Sequence, residues 1–222
     1  MSRFSEADRD RIRAQLVEAG RELFARFGFE RTRIKDVTEA VDIGTSTFYQ
    51  FFDSKEALYV EVLCAERDRL EARIDEAVAA ATTPREEVRT MIETMFREVR
   101  SNPLISRLIV ENELYTLRER LSDAERESLA ASIRESDLSY ADRWVALDEF
   151  RIDDPEVVSG LIRSLVYTTR SRETLMETGD AADYEAVEAA LIATIVDGLF
   201  VGGPDDADVL RDSKGSADSD AG

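Results

Sequence analysis

Residues 33–58, RIKDVTEAVDIGTSTFYQFFDSKEAL, decide the fold of this 222-residue chain. Ahead of Gly44, the apolar residues Ile34, Val37 and Val41 recur at the spacing of one helical face. After Gly44, residues 45–52 place four aromatic side chains beside four small or amide side chains. This composition predicts a second short helix, with its aromatic side chains inward and its hydroxyls outward.

A turn of three residues, Asp42-Ile43-Gly44, separates the two predicted helices. Two helices joined by a short turn that contains glycine form a helix-turn-helix. Asp53 is positioned to cap the next helix, and Glu56 follows three residues later, so we expect that helix to begin near Lys55.

A long first helix is expected to cover this pair and to complete a three-helix domain. Ser5 begins a Ser-x-x-Asp cap signal, and Gly28 follows the last turn, where a left-handed residue is common. The apolar face of this helix consists of Ile12, Leu16, Ala19, Leu23 and Phe27.

The polar residues of this stretch suit contacts with DNA. A recognition helix enters the major groove with its N-terminal residues toward the bases, and short hydroxyl side chains can bond phosphates or base edges. The alternative is an ordinary solvated surface, with Thr32 serving only as the cap of the second helix. The predicted contact residues are Thr32, Arg33 and Lys35 at the start of the second helix, and Thr45, Ser46, Thr47, Tyr49 and Gln50 in the third.

This region resembles the DNA-binding domain of the TetR family of transcriptional regulators, over roughly residues 8–65. The sequence departs from that family at Val41-Asp42, where Ala-Gly is frequent, at Gly44, where Ser is frequent, and at Ser46, where Gly is frequent. The matching segments are Phe27-Gly28-Phe29, Thr32, Asp42-Ile43-Gly44, Thr47-Phe48-Tyr49, Phe52 and Ser54-Lys55-Glu56-Ala57-Leu58.

The resemblance implies roles that the residues alone do not. It implies that the Tyr49 hydroxyl binds a DNA phosphate and that Lys55 forms an ion pair with the DNA backbone. It also implies a homodimer held by the last two helices, and a small effector that binds the larger domain and releases the operator. Regulators of this kind are more often repressors than activators.

Composition predicts an all-α fold of about nine helices, because helix-forming residues dominate, only 4 prolines occur and no alternating strand pattern persists. We expect a helix-turn-helix domain in residues 1–54 and a larger helical domain in residues 55–202. Residues 203–222 are acidic and rich in small side chains, which predicts a disordered tail.

Net charge is −19, yet residues 1–55 hold ten Lys or Arg and ten Asp or Glu, so the acidic excess lies elsewhere. An acidic surface with 26 Arg and 3 Lys predicts a salt-loving host, with an ordinary acidic protein as the alternative. The same charge favours a competing function, a helical adaptor of this fold that no longer binds DNA.

Enzymatic and metal-binding functions are not indicated. The chain has no His and a single cysteine, Cys64, which we interpret as a small apolar residue of a helix. No nucleophile and base set, no metal cluster and no phosphate loop is present, so we expect neither an enzyme nor a cofactor. No signal peptide or membrane span is recognisable, which predicts a cytoplasmic protein.

Six helices are expected in the larger domain, and the last two are apolar on more than one face. Such helices need neighbours on several sides, so we expect two copies of the pair to form a four-helix interface rather than to be buried within one chain. The family resemblance implies an effector site among helices four to eight, with plain core packing as the alternative, and the few polar residues there favour an apolar effector. Its candidate residues are Met91, Met95, Phe96, Leu108, Tyr115, Tyr140, Trp144 and Tyr167.

Overall fold

A computed structural model describes residues 5–109, 117, 119–168 and 184–202 of the chain. Within them the chain is helical, and the prediction of an all-α fold is confirmed. The only strand-like pairing in the described ranges is one isolated bridge between Phe150 and Phe200. The helices are α1 Glu6–Arg31, α2 Ile34–Ala40, α3 Thr45–Phe48, α4 Lys55–Val78, α5 Pro84–Ser101, α6 Pro103–Ile109, α7 Asp123–Val145, α8 Pro155–Thr168 and α9 Tyr184–Leu199.

The buried apolar side chains form two clusters, which we name the head core and the body core. The head core joins α1, α2, α3 and the first half of α4, and it is completed by Leu104, Leu117, Leu121 and Leu129. The body core joins the second half of α4 to α5, α8, α9 and the end of α7. Because α4 passes through both, the head core extends beyond the boundary expected after residue 54, and that boundary stays a prediction.

The helix starts follow side-chain caps. Ser5 caps α1, as its sequence signal predicts, and the hydroxyls of Thr83 and Ser122 cap α5 and α7. The cap predicted at Asp53 is wrong, because the Ser54 hydroxyl accepts the Ala57 N–H at 2.9 Å and α4 begins at the next residue. Ser54 lies one residue after Asp53, and its hydroxyl has the geometry of a helix cap.

Gly28 ends the straight part of α1. Its backbone has φ 77° and ψ 169°, and the chain completes one more helical turn to Arg31. The positive φ expected here is present, but in the extended region that essentially only glycine adopts, not the left-handed helical one. The kink at Gly28 brings Phe29 into the head core, where its ring centroid lies 5.0 Å from that of Tyr59.

Helices α8 and α9 present apolar residues to solvent in the single chain. Val157 is 51% exposed and Val187 is 44% exposed. A methyl group added at Gly160 or Gly198 would meet nothing within 4 Å. The predicted extension of the eighth helix to Met176 and the predicted disordered tail from residue 203 onward lie outside the described residues.

Candidate nucleic-acid interface

The turn between α2 and α3 has a defined backbone geometry. The Ile43 N–H donates to the Thr38 carbonyl at 3.0 Å, and the Asp42 N–H donates to the Glu39 carbonyl at 3.3 Å. Asp42 between them has φ 54°. This pair of bonds is the Schellman arrangement, which requires a left-handed residue at the position of Asp42. Aspartate tolerates that conformation, so Asp42 can replace the glycine that is frequent at this position in the TetR family.

The third helix is shorter than the predicted range of 45–52. Regular α-helix covers only Thr45–Phe48, and the chain continues through tighter bonds from the Gln50 N–H to the Thr47 carbonyl and from the Phe51 N–H to the Phe48 carbonyl. This tightening brings Phe52, which is 4% exposed, beside Phe48 with a centroid distance of 5.7 Å. We call residues 45–52 the recognition segment.

Burial separates the recognition segment into two faces. Phe48 and Phe52 are buried in the head core and Phe51 is half-buried, as the aromatic pattern predicts. Tyr49 departs from that pattern, with 53% of its surface exposed. Thr47 is half-buried. Thr45, Ser46, Tyr49 and Gln50 are exposed, and we call these four residues the exposed patch.

At the start of α2, Arg33 and Lys35 are exposed. The Arg33 N–H donates to Asp36 Oδ2 at 2.9 Å, so Arg33 is the N-cap residue. The expectation that Thr32 caps α2 is wrong. Thr32 is 1% exposed, and its hydroxyl donates to the Gly28 carbonyl at 2.8 Å. Burial turns this hydroxyl away from the surface that Arg33 and Lys35 occupy.

Lys55 lies between two helices. Its Nζ donates to the carbonyl oxygens of Phe29 at 2.7 Å and Thr32 at 3.1 Å, and it sits 4.1 Å from the centre of the Phe29 ring. The ammonium group therefore binds the end of α1 to the start of α4. A positive charge is favourable at these carbonyls, because the end of a helix carries a partial negative charge.

Replacing Lys55 by methionine is expected to lower the free energy of unfolding by about 2 kcal/mol, because two buried carbonyl groups lose a charged donor. Thermal unfolding followed by circular dichroism measures the change. Lys35→Met is the matched control: Lys35 is exposed and its Nζ lies 3.5 Å from Glu39, so its loss should change stability by less than about 0.5 kcal/mol. Equal melting temperatures for the two variants would show that Lys55 does not join the helices.

A small apolar pocket of about 60 Å³ lies in the body core. Four of the candidate effector residues line it: Met91, Met95, Tyr140 and Trp144. Phe96 is buried in the same core without lining the pocket, and the side chains of Leu108, Tyr115 and Tyr167 lie outside the described residues. The pocket is completed by Leu70, Glu71, Ile74, Ser159 and Ile162.

The sequence did not reveal two polar residues that line the pocket, Ser159 and Glu71. Ser159 is 4% exposed, and the only indication of its burial in the sequence is that its hydroxyl stands between apolar neighbours on α8. Glu71 stands within a charged run, where nothing distinguishes it from solvated neighbours. At the pocket, the Tyr140 hydroxyl donates to Asp75. Burial, and after it this hydrogen bond, raises the pKa of the Tyr140 phenol, so Tyr140 remains a neutral donor.

The pocket has room for water but not for an organic effector. A cavity of about 150 Å³ is needed to hold a molecule of the size of benzene. Any effector bound here must therefore displace side chains. Within the described part of the chain, no group of three or more His, Cys, Asp or Glu side chains is placed to hold a metal ion, and no helix has the length and apolar character needed to cross a bilayer.

Residues 16–62 match the sequence model of the bacterial regulatory proteins of the tetR family. These residues form a TetR-type helix-turn-helix domain. The match begins within α1 and ends within α4, so it includes the recognition segment and the contacts made by Lys55. The prediction of a TetR-type DNA-binding domain is thereby confirmed.

The chain is also similar in sequence to curated transcriptional regulators. The chain is 32% identical to the HTH-type transcriptional repressor KstR of Mycolicibacterium smegmatis over 102 residues, which are 46% of this chain and 50% of that protein. The chain thus spans about half the length of the curated relatives it matches. These relatives are transcriptional regulators rather than enzymes, in agreement with the prediction that this chain is not an enzyme.

Solved structures of transcriptional regulators share the fold over most of the chain. A TetR-family transcriptional regulator from Pectobacterium atrosepticum has a TM-score of 0.64 at 18% identity, covering 90% of this chain and 99% of its own. The transcriptional regulator FadR of Bacillus subtilis, in complex with stearoyl-CoA, has a TM-score of 0.61 at 15% identity, covering 84% of this chain and 98% of its own. At these identities the likeness shows the fold.

Proposed function

We propose that this protein is a homodimeric transcriptional regulator that binds an operator through the recognition segment and represses the adjacent genes. The exposed patch carries this proposal. Four polar side chains stand outward on a segment whose aromatic side chains anchor it to the head core, so their positions are set before DNA binds. Hydroxyl, phenol and amide groups on an exposed helical segment can bond base edges and phosphates.

In this proposal, residues that flank the recognition segment contact the DNA backbone. Arg33 and Lys35 at the start of α2 bind phosphates, and the half-buried Thr47 supports the exposed patch. Lys55 acts on operator affinity by holding α1 against α4, and Thr32 acts by closing the end of α1. The repressor KstR, a relative over 102 residues of this chain, supports repression as the sign of regulation.

Dimerisation through α8 and α9 is the second part of the proposal. The exposed Val157 and Val187 and the open space over Gly160 and Gly198 allow another copy of this surface to pack closely. A symmetric dimer is the commonest way to bury such a face. It would place two recognition segments on successive major grooves, about 34–36 Å apart on a near-palindromic site.

Effector binding is coupled to DNA binding, in this proposal, by helices that touch both the pocket and the head core. Helix α7 has 23 residues and spans about 34 Å, with Tyr140 and Trp144 at the pocket and Glu125 at the head. There, the Ser54 hydroxyl donates to Glu125 Oε1 at 3.2 Å. An apolar effector that enlarges the pocket would move α7, and with it Ser54, which lies two residues after the recognition segment.

Two helix caps meet at this contact. Ser54 caps α4, while Glu125 accepts the Ser122 N–H at 2.8 Å within the capping box of α7. Burial acts to raise the pKa of the Glu125 carboxyl, but hydrogen bonds from Ser122 and Ser54 outweigh burial, so the pKa lies below its usual value. Glu125 is therefore ionised at neutral pH and accepts bonds from both caps.

One titration tests binding and coupling together. An operator is selected from random duplex DNA with the full-length protein in molar salt, because we also propose that the acidic surface is adapted to a salty host. A labelled operator is then titrated while its anisotropy and the emission of Trp144, the single tryptophan of the chain, are recorded. We expect saturable binding of one dimer per site together with a change in Trp144 emission.

The two readouts separate the possible outcomes. Binding without an emission change would contradict the route through α7 and leave the regulator proposal standing. Absence of any selected sequence in both dilute buffer and molar salt would favour the helical adaptor that no longer binds DNA, the function that the charge of −19 favours.

A further inference from the structure

The C-terminal end of the recognition segment is held by two arginines of α1. Arg9 Nη2 donates to the Gln50 carbonyl at 3.1 Å, and Arg13 Nη1 donates to the Phe51 carbonyl at 3.2 Å. Carbonyl groups at the end of a helical segment lack partners within the helix and carry partial negative charge, so guanidinium groups stabilise them. The two arginines lie four residues apart and therefore share one face of α1.

Each guanidinium group also covers an aromatic ring of the same segment. Arg9 lies 5.1 Å from the centre of the Phe51 ring, and Arg13 lies 4.6 Å from the centre of the Phe52 ring. These distances are within the range of cation–π attraction. The arginines thus contact both the backbone and the side chains that set how the recognition segment is tilted on the head core.

Arg13 is itself held from α4. Its Nε donates to Glu61 Oε1 at 3.1 Å and its Nη2 donates to Glu61 Oε2 at 2.8 Å. This fork-shaped pair fixes the plane of the guanidinium group, which a lysine could not do. One side chain therefore joins α1, the recognition segment and α4.

In the described part of the chain, the opposite end of the recognition segment has no comparable side-chain support. Its N-cap residue is Gly44, which offers no side-chain oxygen to the free N–H groups, and regular helix continues for only four residues. The tilt of the segment therefore depends on the burial of Phe48 and Phe52 and on the contacts at its C-terminal end.

We propose that Arg13, with Arg9 beside it, is a positioning residue for operator recognition, which acts by fixing the recognition segment rather than by binding DNA. This inference rests on the proposed function. A segment that is free to tilt still meets phosphates, but it cannot present the exposed patch to the same base edges. Loss of Arg13 should therefore weaken operator binding selectively.

The test compares Arg13→Gln with Arg11→Gln, since Arg11 is exposed and pairs with Asp8 one helical turn away. We expect Arg13→Gln to weaken operator binding about tenfold and to leave nonspecific DNA binding unchanged, while Arg11→Gln changes neither. The dependence of affinity on salt separates positioning from contact. A lost phosphate contact lowers the slope of log K against log salt by about one, whereas a positioning role leaves it unchanged.

Amide hydrogen exchange supplies a readout that does not depend on DNA. Residues 47–52 should exchange faster in Arg13→Gln than in the wild type, with the body core unchanged. Glu61→Gln, which keeps the guanidinium group but removes its fork-shaped partner, should show a smaller effect of the same kind. Unchanged exchange, or a lowered salt slope, would overturn the inference. If no operator exists, the exchange result still decides whether Arg13 fixes the recognition segment.

Discussion

Replacing Thr45, Tyr49 and Gln50 together by alanine is expected to weaken operator binding at least a hundredfold while leaving the melting temperature nearly unchanged. Each base-edge contact contributes about 1–3 kcal/mol of discrimination, so losing the contacts of three side chains should bring operator affinity toward the nonspecific level. Stability should be little affected because all three side chains are exposed and the buried Phe48 and Phe52 stay in place.

Fluorescence anisotropy with the selected operator and with a scrambled duplex measures this effect. Binding to the scrambled duplex should remain, since Arg33 and Lys35 are intact. Thr82→Ala, which removes an exposed hydroxyl at the start of α5, serves as the control and should bind like the wild type. If the triple variant retains full operator affinity, DNA recognition does not occur through the exposed patch.

Replacing Trp144 by alanine is expected to lower the free energy of unfolding by about 3–5 kcal/mol, the usual effect of removing a large aromatic side chain from a core. Trp144 is 1% exposed, and its ring centroid lies 5.7 Å from that of Tyr140 and 6.4 Å from that of Phe150. Its indole N–H donates to Glu87 Oε2 at 3.1 Å. The substitution would thus leave a cavity beside the pocket and remove a donor from Glu87.

Urea denaturation followed by circular dichroism measures the loss, since the variant has no tryptophan emission. Trp144→Phe is the matched comparison, because it keeps an aromatic ring and removes only the bond to Glu87 with part of the volume. We expect it to lower stability by about 1–2 kcal/mol. Losses of equal size in the two variants would mean that the indole ring does not fill the body core as described.

The exposed patch and the pocket place different demands on the protein. In the proposed function, the patch would have to keep its shape to read DNA, with the support of the buried rings, Lys55 and Arg13. The pocket would have to change shape to admit an effector, and polar contacts close to it, such as Tyr140 with Asp75, would have to reform after a shift of α7. Rigidity at the head and adaptability in the body are what a ligand-released repressor requires.

Features encoded by neighbouring residues could be predicted from the sequence. Apolar spacing indicated the helices, a Ser-x-x-Asp signal located the start of α1, and the aromatic pattern predicted that Phe48 and Phe52 face inward. Each of these depends on interactions within one or two helical turns. The TetR-type match over residues 16–62 confirms the prediction of a helix-turn-helix domain in this part of the chain.

Features that depend on distant residues were decided only by the tertiary structure. Lys55 meets carbonyl groups 26 and 23 residues earlier in the chain, and Arg13 meets a carbonyl group 38 residues later. The length of α3 and the burial of Thr32 likewise depend on how α1, α2 and α4 pack together. Hydrophobic spacing records which face of a helix is buried, but not which partner a long charged side chain reaches, because that partner is set by the packing of whole helices.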